Sequence, residues 1–133
     1  MDANAMDNVL SALNAAGRCV LTAHDKPDGD ALGSALGLGR LLAASGKEVH
    51  YTGCQPITER NRFLVEDITF TPAEDAVALI ADGALLVVCD TATADRARAT
   101  PLWQQAGGRV LNLDHHHSNS RYGEVNWVEA QAS

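Results

Sequence analysis

The stretch Ala84-Leu-Leu-Val-Val-Cys89 is apolar at every position and is followed by a single acid, Asp90. A strand that is apolar throughout, without polar residues at alternate positions, is covered by other elements on both faces. Such coverage is typical of a parallel sheet with helices above and below it. Residues 84–89 therefore predict a strand of an α/β domain that is covered on both faces.

The sequence around this stretch alternates between strand-like and helix-like segments. Short, mostly apolar runs predict further strands at 19–23, 48–52, 109–113 and 125–128. Apolar spacing and good helix formers predict helices at 7–16, 31–44 and 94–106, with a short helix near 57–65. This alternation predicts one domain over residues 1–133, an α/β three-layer sandwich with a mostly parallel β-sheet flanked by helices.

The predicted helix 31–44 contains three glycines, Gly33, Gly37 and Gly39. Glycine weakens a helix, because its backbone loses more freedom on folding than that of other residues. A missing side chain also allows two backbones to approach closely. The glycines therefore predict close contact of this helix with the sheet or with a ligand.

The charge of the chain argues against one class of partner. The 133 residues carry a formal net charge of −7, with 10 Lys and Arg against 17 Asp and Glu. Binding to long duplex nucleic acid by counterion release requires a dense field of positive side chains. An acidic protein can still bind phosphates where its carboxylates first hold divalent cations, since the cations reverse the local charge.

The cysteines and the hydropathy pattern indicate a cellular location. Cys19, Cys54 and Cys89 are odd in number and lack C-x-x-C spacing, which indicates free buried thiols in a reducing compartment. No basic N-terminal region with an apolar segment is visible, and no run of about 18 apolar residues occurs. We therefore expect a cytoplasmic protein without a membrane partner.

Candidate metal ligands follow three of the predicted strands. Residues 24–30 contain one histidine and three acids, Asp90 follows residues 84–89, and an acid and three histidines follow residues 109–113. The carboxyl ends of parallel strands meet at one edge of the sheet, where ligands bind in α/β folds. Carboxylates and imidazoles without thiolates suit Mn²⁺ or Mg²⁺ better than a structural zinc.

Each of these features also has a simpler interpretation. Asp28-Gly29-Asp30 is compatible with an ordinary turn, because Asp and Gly favour turns for local reasons. Asp90 is compatible with the N-cap of a following helix, and the histidines 115–117 with a solvated surface. The three features at three strand ends together favour a metal site.

Three motifs resemble the DHH family of phosphoesterases. The first runs from Ala23 to Ser34 and reads AHDKPDGDALGS, the second reads Val88-Cys89-Asp90-Thr91-Ala92, and the third is Asp114-His115-His116 with an extension to Asn119. The first motif is similar to the branch of bacterial oligoribonucleases and adenosine bisphosphate phosphatases. The resemblance implies the Rossmann-like DHH domain and hydrolase activity on short RNA or small phosphorylated nucleotides.

The resemblance also implies a centre of two Mn²⁺ ions, with Mg²⁺ as the alternative. The implied metal ligands are His24, Asp28, Asp30, Asp90 and His115. In this arrangement His24 and Asp28 hold one ion, Asp30 and His115 hold the other, and Asp90 bridges them.

The resemblance further assigns catalytic roles to His116 and Asp114. It implies that Asp114 orients His115, and that His116 contacts the substrate phosphate or assists proton transfer. Asn119, at the end of the third motif, is implied to bind substrate.

The expected function is a manganese-dependent phosphodiesterase or phosphatase that hydrolyses short oligonucleotides or small nucleotides by two-metal activation of water. A non-catalytic metal-binding or nucleotide-binding module and an inorganic pyrophosphatase are the alternatives, and a homodimer is left open. The family carries a fourth metal-binding aspartate and a C-terminal substrate-binding domain, neither of which is found within the 133 residues. We therefore expect an incomplete DHH domain with reduced turnover.

Overall fold

The computed structural model describes residues 3–129, and within them the chain forms one parallel sheet of six strands. In chain order the strands are β1 (Arg18–Ala23), β2 (Glu48–Thr52), β3 (Phe70–Thr71), β4 (Leu85–Cys89), β5 (Arg109–Asp114) and β6 (Val125–Val128). Across the sheet the order is β3-β2-β1-β4-β5-β6, and each neighbouring pair is parallel. The α/β fold with a mostly parallel sheet is therefore confirmed.

Helices cover both faces of this sheet. The α-helices of the described part are α1 (Ala3–Ala15), α2 (Gly29–Ala44), α3 (Ala73–Ala76) and α4 (Ala99–Gln105). Short 3-10 helices span Glu59–Val65, Val77–Asp82 and Ala94–Arg96. Helices α1 and α2 contribute to the core on one face, while α3 and α4 contribute to the core on the other.

The central strands are apolar throughout because their alternate side chains enter two different cores. On β4, Leu85 and Val87 pack into the core with α1 and α2, whereas Leu86 and Val88 pack into the core that contains Trp103 of α4. Successive side chains of a strand point to opposite faces, so both faces of β4 require apolar residues. This is the physical basis of the continuous hydrophobicity of residues 84–89.

The glycines of α2 differ from one another in their surroundings. A Cβ added to Gly39 would collide with the ring of Tyr51 on β2, at 2.7 Å from its Cζ atom, so this glycine does permit close packing. A Cβ added to Gly33 or Gly37 would meet no atom within 4 Å, and both residues are exposed. Close contact with the sheet is therefore confirmed for Gly39 and wrong for the other two.

The segment after β4 is not the single helix predicted for 94–106. A 3-10 helix at Ala94–Arg96 ends at Ala97, whose backbone is extended with φ −114° and ψ 103°, and α4 follows from Ala99. The ring of Pro101 would clash with the carbonyl group of residue 97 in a continuous helix, because a proline ring clashes with the carbonyl four residues before it. The proline therefore accounts for the break.

The topology places β1, β4 and β5 side by side in the middle of the sheet. Because these strands are parallel, their carboxyl ends lie at one edge. The segments that follow them, which begin at His24, Asp90 and His115, are therefore neighbours. Among the residues 3–129, no helix combines the length and the apolar character that crossing a membrane would require.

Candidate functional site

Asp90 follows the central strand and lies at the middle of the site. Asp90 is 7% exposed, and its backbone N–H donates to the carbonyl oxygen of Leu113 at 2.9 Å. Its φ of +55° lies in the left-handed region, which aspartate tolerates better than most residues. The N-cap of the next helical segment, Ala94–Arg96, is Thr93, so the N-cap interpretation of Asp90 is wrong.

Two histidines from neighbouring strand ends face the carboxylate of Asp90. His115 Nε2 lies 2.6 Å from Asp90 Oδ1, and His24 Nε2 lies 4.0 Å from Asp90 Oδ2. Burial raises the pKa of Asp90 above its ordinary value, although the hydrogen bond with His115 acts in the opposite direction. Asp90 is thus a poorly solvated anion that positive charge at this edge would stabilise.

The first motif forms the loop between β1 and α2. Asp28 is the N-cap of α2, and its Oδ1 accepts a hydrogen bond of 2.8 Å from the backbone N–H of Ala31. His24 Nδ1 lies 2.9 Å from the carbonyl oxygen of Asp25. Because a carbonyl can only accept, this contact places hydrogen on Nδ1 and makes Nε2 the ring nitrogen that is available to a metal beside Asp90.

Asp30 lies in the first turn of α2 at the outer side of the site. Its side chain is 79% exposed, and its Oδ2 lies 4.0 Å from His115 Nε2. This distance is too long for a hydrogen bond. The predicted ligand is therefore next to His115 but is not held by it.

The two histidines His115 and His116 of the third motif contact different acids. His115 pairs with Asp90, as described above, while His116 Nδ1 lies 2.6 Å from Asp114 Oδ1. The Asp114 carboxyl group is buried, and the His116 side chain is 44% exposed. The resemblance implied that Asp114 orients His115, and the geometry instead places Asp114 against His116.

Asn119 directs its side chain into the fold. Its Nδ2 donates to Asn112 Oδ1 at 2.7 Å and to Asp114 Oδ2 at 2.8 Å. Its Oδ1 accepts from the backbone N–H of Arg121 at 2.6 Å. The amide that was predicted to bind substrate is therefore occupied by internal hydrogen bonds.

The donor set fits a pair of hard divalent cations. Two groups of side chains, in each of which the nearest ligand atoms lie within 4.8 Å of one another, meet at this edge. The members are Asp90, Asp114, His115 and His116 in one group, and His24, Asp28 and Asp90 in the other. Asp90 belongs to both groups, and carboxylates with imidazoles suit Mn²⁺ or Mg²⁺. The predicted ligands other than Asp30 thus converge, and their occupancy stays a prediction.

A cleft of about 500 Å³ opens beside these groups. Its lining residues are Asp30, Ser34, Leu38, Cys89, Asp90, Leu113, Asp114 and His115. The sequence interpretation did not identify Ser34 or Leu38 as part of the site. Ser34 and Leu38 follow Asp30 by four and eight residues, and this spacing would have indicated it, since residues four apart lie on one face of a helix.

The sequence interpretation also missed a buried polar residue behind the site. Asn112 is fully buried on β5, although its neighbours in the strand are apolar. A polar residue within an apolar strand is a detectable signal, because a buried amide requires hydrogen-bond partners. Its partners are described below.

Curated relatives of known name are similar to most of this chain in sequence. The chain is 38% identical over 125 residues to the bifunctional oligoribonuclease and PAP phosphatase NrnA of Thermus thermophilus, covering 91% of this chain and 34% of that protein. It is 31% identical over 119 residues to the NrnA of Bacillus subtilis, covering 86% of this chain and 34% of that protein. The chain thus spans about a third of the length of these relatives.

A solved structure and a family comparison agree with the fold. The exopolyphosphatase-related protein from Bacteroides fragilis superposes with a TM-score of 0.85 at 21% identity, over 97% of this chain and 39% of that one. At this identity the likeness concerns the fold alone. Residues 18–133 match the family described as the DHH family, N-terminal domain. The chain therefore belongs to the DHH family, through the N-terminal domain of that family.

Proposed function

We propose that this domain holds two divalent cations, preferentially Mn²⁺, for the hydrolysis of phosphate esters in short oligonucleotides or small nucleotides. The observation that carries the proposal is the position of Asp90, whose buried carboxylate belongs to both groups of candidate ligands. The relatives of this chain are named as oligoribonucleases and PAP phosphatases, which supports the substrate class. A cytoplasmic location, where such substrates arise, remains part of the prediction.

The roles of the side chains follow from their surroundings. His24 presents Nε2 toward Asp90 because its Nδ1 is occupied by the carbonyl group of Asp25. Asp28 at the N-cap of α2 and His115 after β5 belong to the donor set, and the exposed Asp30 in the first turn of α2 lies 4.0 Å from His115. When bound, the cations supply a hydroxide at neutral pH and neutralise charge on the phosphate.

The acidic charge of the cleft also supports a role for a cation. An anionic phosphate would be repelled by a cleft lined with Asp30, Asp90 and Asp114. Cations held by Asp90 and the other proposed ligands would reverse the sign of the local charge. His116, fixed by Asp114, is the partly exposed group that we assign to the phosphate or to a proton in transfer.

The direct test is the release of mononucleotide from a dinucleotide by this 133-residue chain, with Mn²⁺ and with a chelator. We expect slow, Mn²⁺-dependent release that falls by about 100-fold or more in Asp90→Asn. The control is Asp95→Asn, which changes an exposed acid of the segment Ala94–Arg96. Equal rates in wild type and Asp90→Asn would contradict the proposal.

Two alternatives predict different results in the same assays. An inorganic pyrophosphatase would hydrolyse pyrophosphate faster than the dinucleotide. A non-catalytic module would bind Mn²⁺ or a nucleotide, as measured by calorimetry, without releasing product over long incubation. The naming of the relatives favours the nucleotide substrates over both alternatives.

A further inference from the structure

A chain of hydrogen bonds runs behind the cleft from a tyrosine to a histidine. Asn112 Nδ2 donates to the Tyr122 hydroxyl at 2.9 Å, and Asn119 Nδ2 donates to Asn112 Oδ1 at 2.7 Å and to Asp114 Oδ2 at 2.8 Å. Asp114 Oδ1 then lies 2.6 Å from His116 Nδ1. We call these five residues the buried polar chain.

The Tyr122 hydroxyl determines which group donates and which accepts in the hydrogen bonds from Tyr122 to Asn119. The Tyr122 hydroxyl donates to the carbonyl oxygen of Thr91 at 2.9 Å, so its oxygen is left to accept from the amide nitrogen of Asn112. The Asn112 oxygen must then face Asn119 and accept from it. Independently, Asn119 Oδ1 accepts from the backbone N–H of Arg121, which also turns the Asn119 nitrogen toward Asn112 and Asp114.

This direction fixes one oxygen of Asp114 as an acceptor. One carboxylate oxygen of Asp114 accepts from Asn119, and the other is left to accept from His116. An ionised carboxylate is an acceptor at both oxygens. When both oxygens of Asp114 accept, the hydrogen between Asp114 and His116 belongs to His116 Nδ1.

Burial makes this arrangement costly to disturb. Asn112 is fully buried, and an unpaired amide there would lose its hydrogen bonds without water to replace them. Burial also raises the pKa of Tyr122, with the negative charge of Asp114 acting in the same direction, so the phenol keeps the hydrogen that it donates.

We propose that Tyr122, Asn112 and Asn119 are positioning residues that hold Asp114 as a double acceptor and so fix the hydrogen of His116 on Nδ1. This leaves Nε2 of His116 as the nitrogen that meets the substrate. The relevance to substrate rests on the proposed function, whereas the hydrogen position is a property of the chain alone. Asn119 therefore acts through Asp114 and does not contact substrate.

The test reads the hydrogen position on His116 by nitrogen NMR of the ¹⁵N-labelled, metal-free chain. Spectra are recorded about two pH units above the ordinary histidine pKa of ~6.5, where an unperturbed ring is neutral. His116→Gln assigns the signals among the five histidines. In the wild type we expect hydrogen on Nδ1.

Three variants separate positioning from packing. Asn119→Ala removes a hydrogen-bond donor to Asp114. Because a hydrogen bond to a charged group contributes at least ~1.4 kcal/mol, we expect the ratio of the Nδ1–H form of His116 to its Nε2–H form to fall about tenfold. Tyr122→Phe removes only the hydroxyl and should lower the ratio by about two- to threefold. Tyr51→Phe, the matched control, changes the other tyrosine of the sequence, which lies on β2, and should leave the ratio unchanged.

Two results would overturn the positioning role. One is a wild type with hydrogen on Nε2. The other is an unchanged ratio in Tyr122→Phe and Asn119→Ala, or in Tyr122→Phe alone where Asn119→Ala does not fold. A wild type that is inactive on dinucleotide but carries hydrogen on Nδ1 supports the positioning role while it contradicts the proposed function.

Discussion

At the scale of a single residue, Asp90 is both buried and acidic, and these two properties oppose each other in the metal-free fold. Burial raises its pKa, so the folded state holds the proton of this carboxyl more tightly than the unfolded state does. Stability contributed by this group is therefore present at low pH and is lost as the pH rises from the unfolded pKa through the folded pKa. At neutral pH the charge of Asp90 therefore destabilises the metal-free fold.

Replacement of this charge should stabilise the metal-free protein. In chelator at neutral pH, we expect Asp90→Asn to raise the midpoint of thermal unfolding by several degrees, since ~1 kcal/mol shifts it by roughly 4 °C in a domain of this size. The difference from wild type should disappear below about pH 3, roughly one unit under the ordinary aspartate pKa of ~3.9, where the carboxyl group is protonated in both states. A midpoint for Asp90→Asn that is lower than that of wild type at neutral pH would contradict this account of Asp90.

The buried thiols give a second prediction at this scale. Burial raises the pKa of Cys54 to about 11 and that of Cys89 to about 12, and it also raises the pKa of Cys19. The thiolate is the reactive form, and its fraction falls tenfold for each unit of pKa. At pH 8 we expect native Cys54 and Cys89 to react with a disulfide reagent at least ~100-fold more slowly than the same residues in urea. Fast modification of either residue in the folded chain would disprove it.

At the scale of the element, helix α2 contains a matched pair of glycines. Gly37 is exposed with open space around it, so Gly37→Ala should raise the free energy of unfolding by about 0.5–1 kcal/mol through helix propensity. Gly39→Ala should lower it by about 1–3 kcal/mol, because the new Cβ would collide with the stiff ring of Tyr51. Urea denaturation of the two variants measures both effects, and equal shifts would contradict the packing of α2 on β2.

The sequence predicted well those elements whose hydrophobic pattern follows directly from their burial. Strand β4 is apolar because it faces two cores, and its predicted start differs from the observed one by a single residue. By contrast, β3 is two residues long and its pairing with β2 depends on tertiary contacts. The segment before it, predicted as a short helix near 57–65, forms a short 3-10 helix at Glu59–Val65.

The sequence predicted which strand ends form the site, but it did not predict which acid pairs with which histidine. The parallel order of β1, β4 and β5 brings His24, Asp90 and His115 together, as the sequence indicated. Which acid pairs with which histidine depends on the direction of each side chain beyond β5. The rings of His115 and His116 lie side by side, with their centroids 4.6 Å apart, and yet Asp114 pairs with His116 while Asp90 pairs with His115.

At the scale of the whole molecule, a chain of net charge −7 gathers several of its acids at one sheet edge. Like charges at this distance repel one another, and the repulsion opposes folding. A bound cation would remove this repulsion and add its own binding energy to the folded state only, because the unfolded chain separates His24, Asp90 and His115. Metal binding and stability should therefore be linked.

This linkage gives the prediction for the whole molecule. Mn²⁺ at about 100 times its dissociation constant should raise the free energy of unfolding by ~2.7 kcal/mol, as expected for one site that exists only in the folded state. Asp90→Asn should lose most of this increase, whereas Asp95→Asn, an exposed acid outside both ligand groups, should keep it. Chemical denaturation of the three proteins with Mn²⁺ and with chelator measures the difference. Equal stabilisation of all three would show that Mn²⁺ binds elsewhere on the acidic surface, and the shared carboxylate of Asp90 would then have no role in holding it.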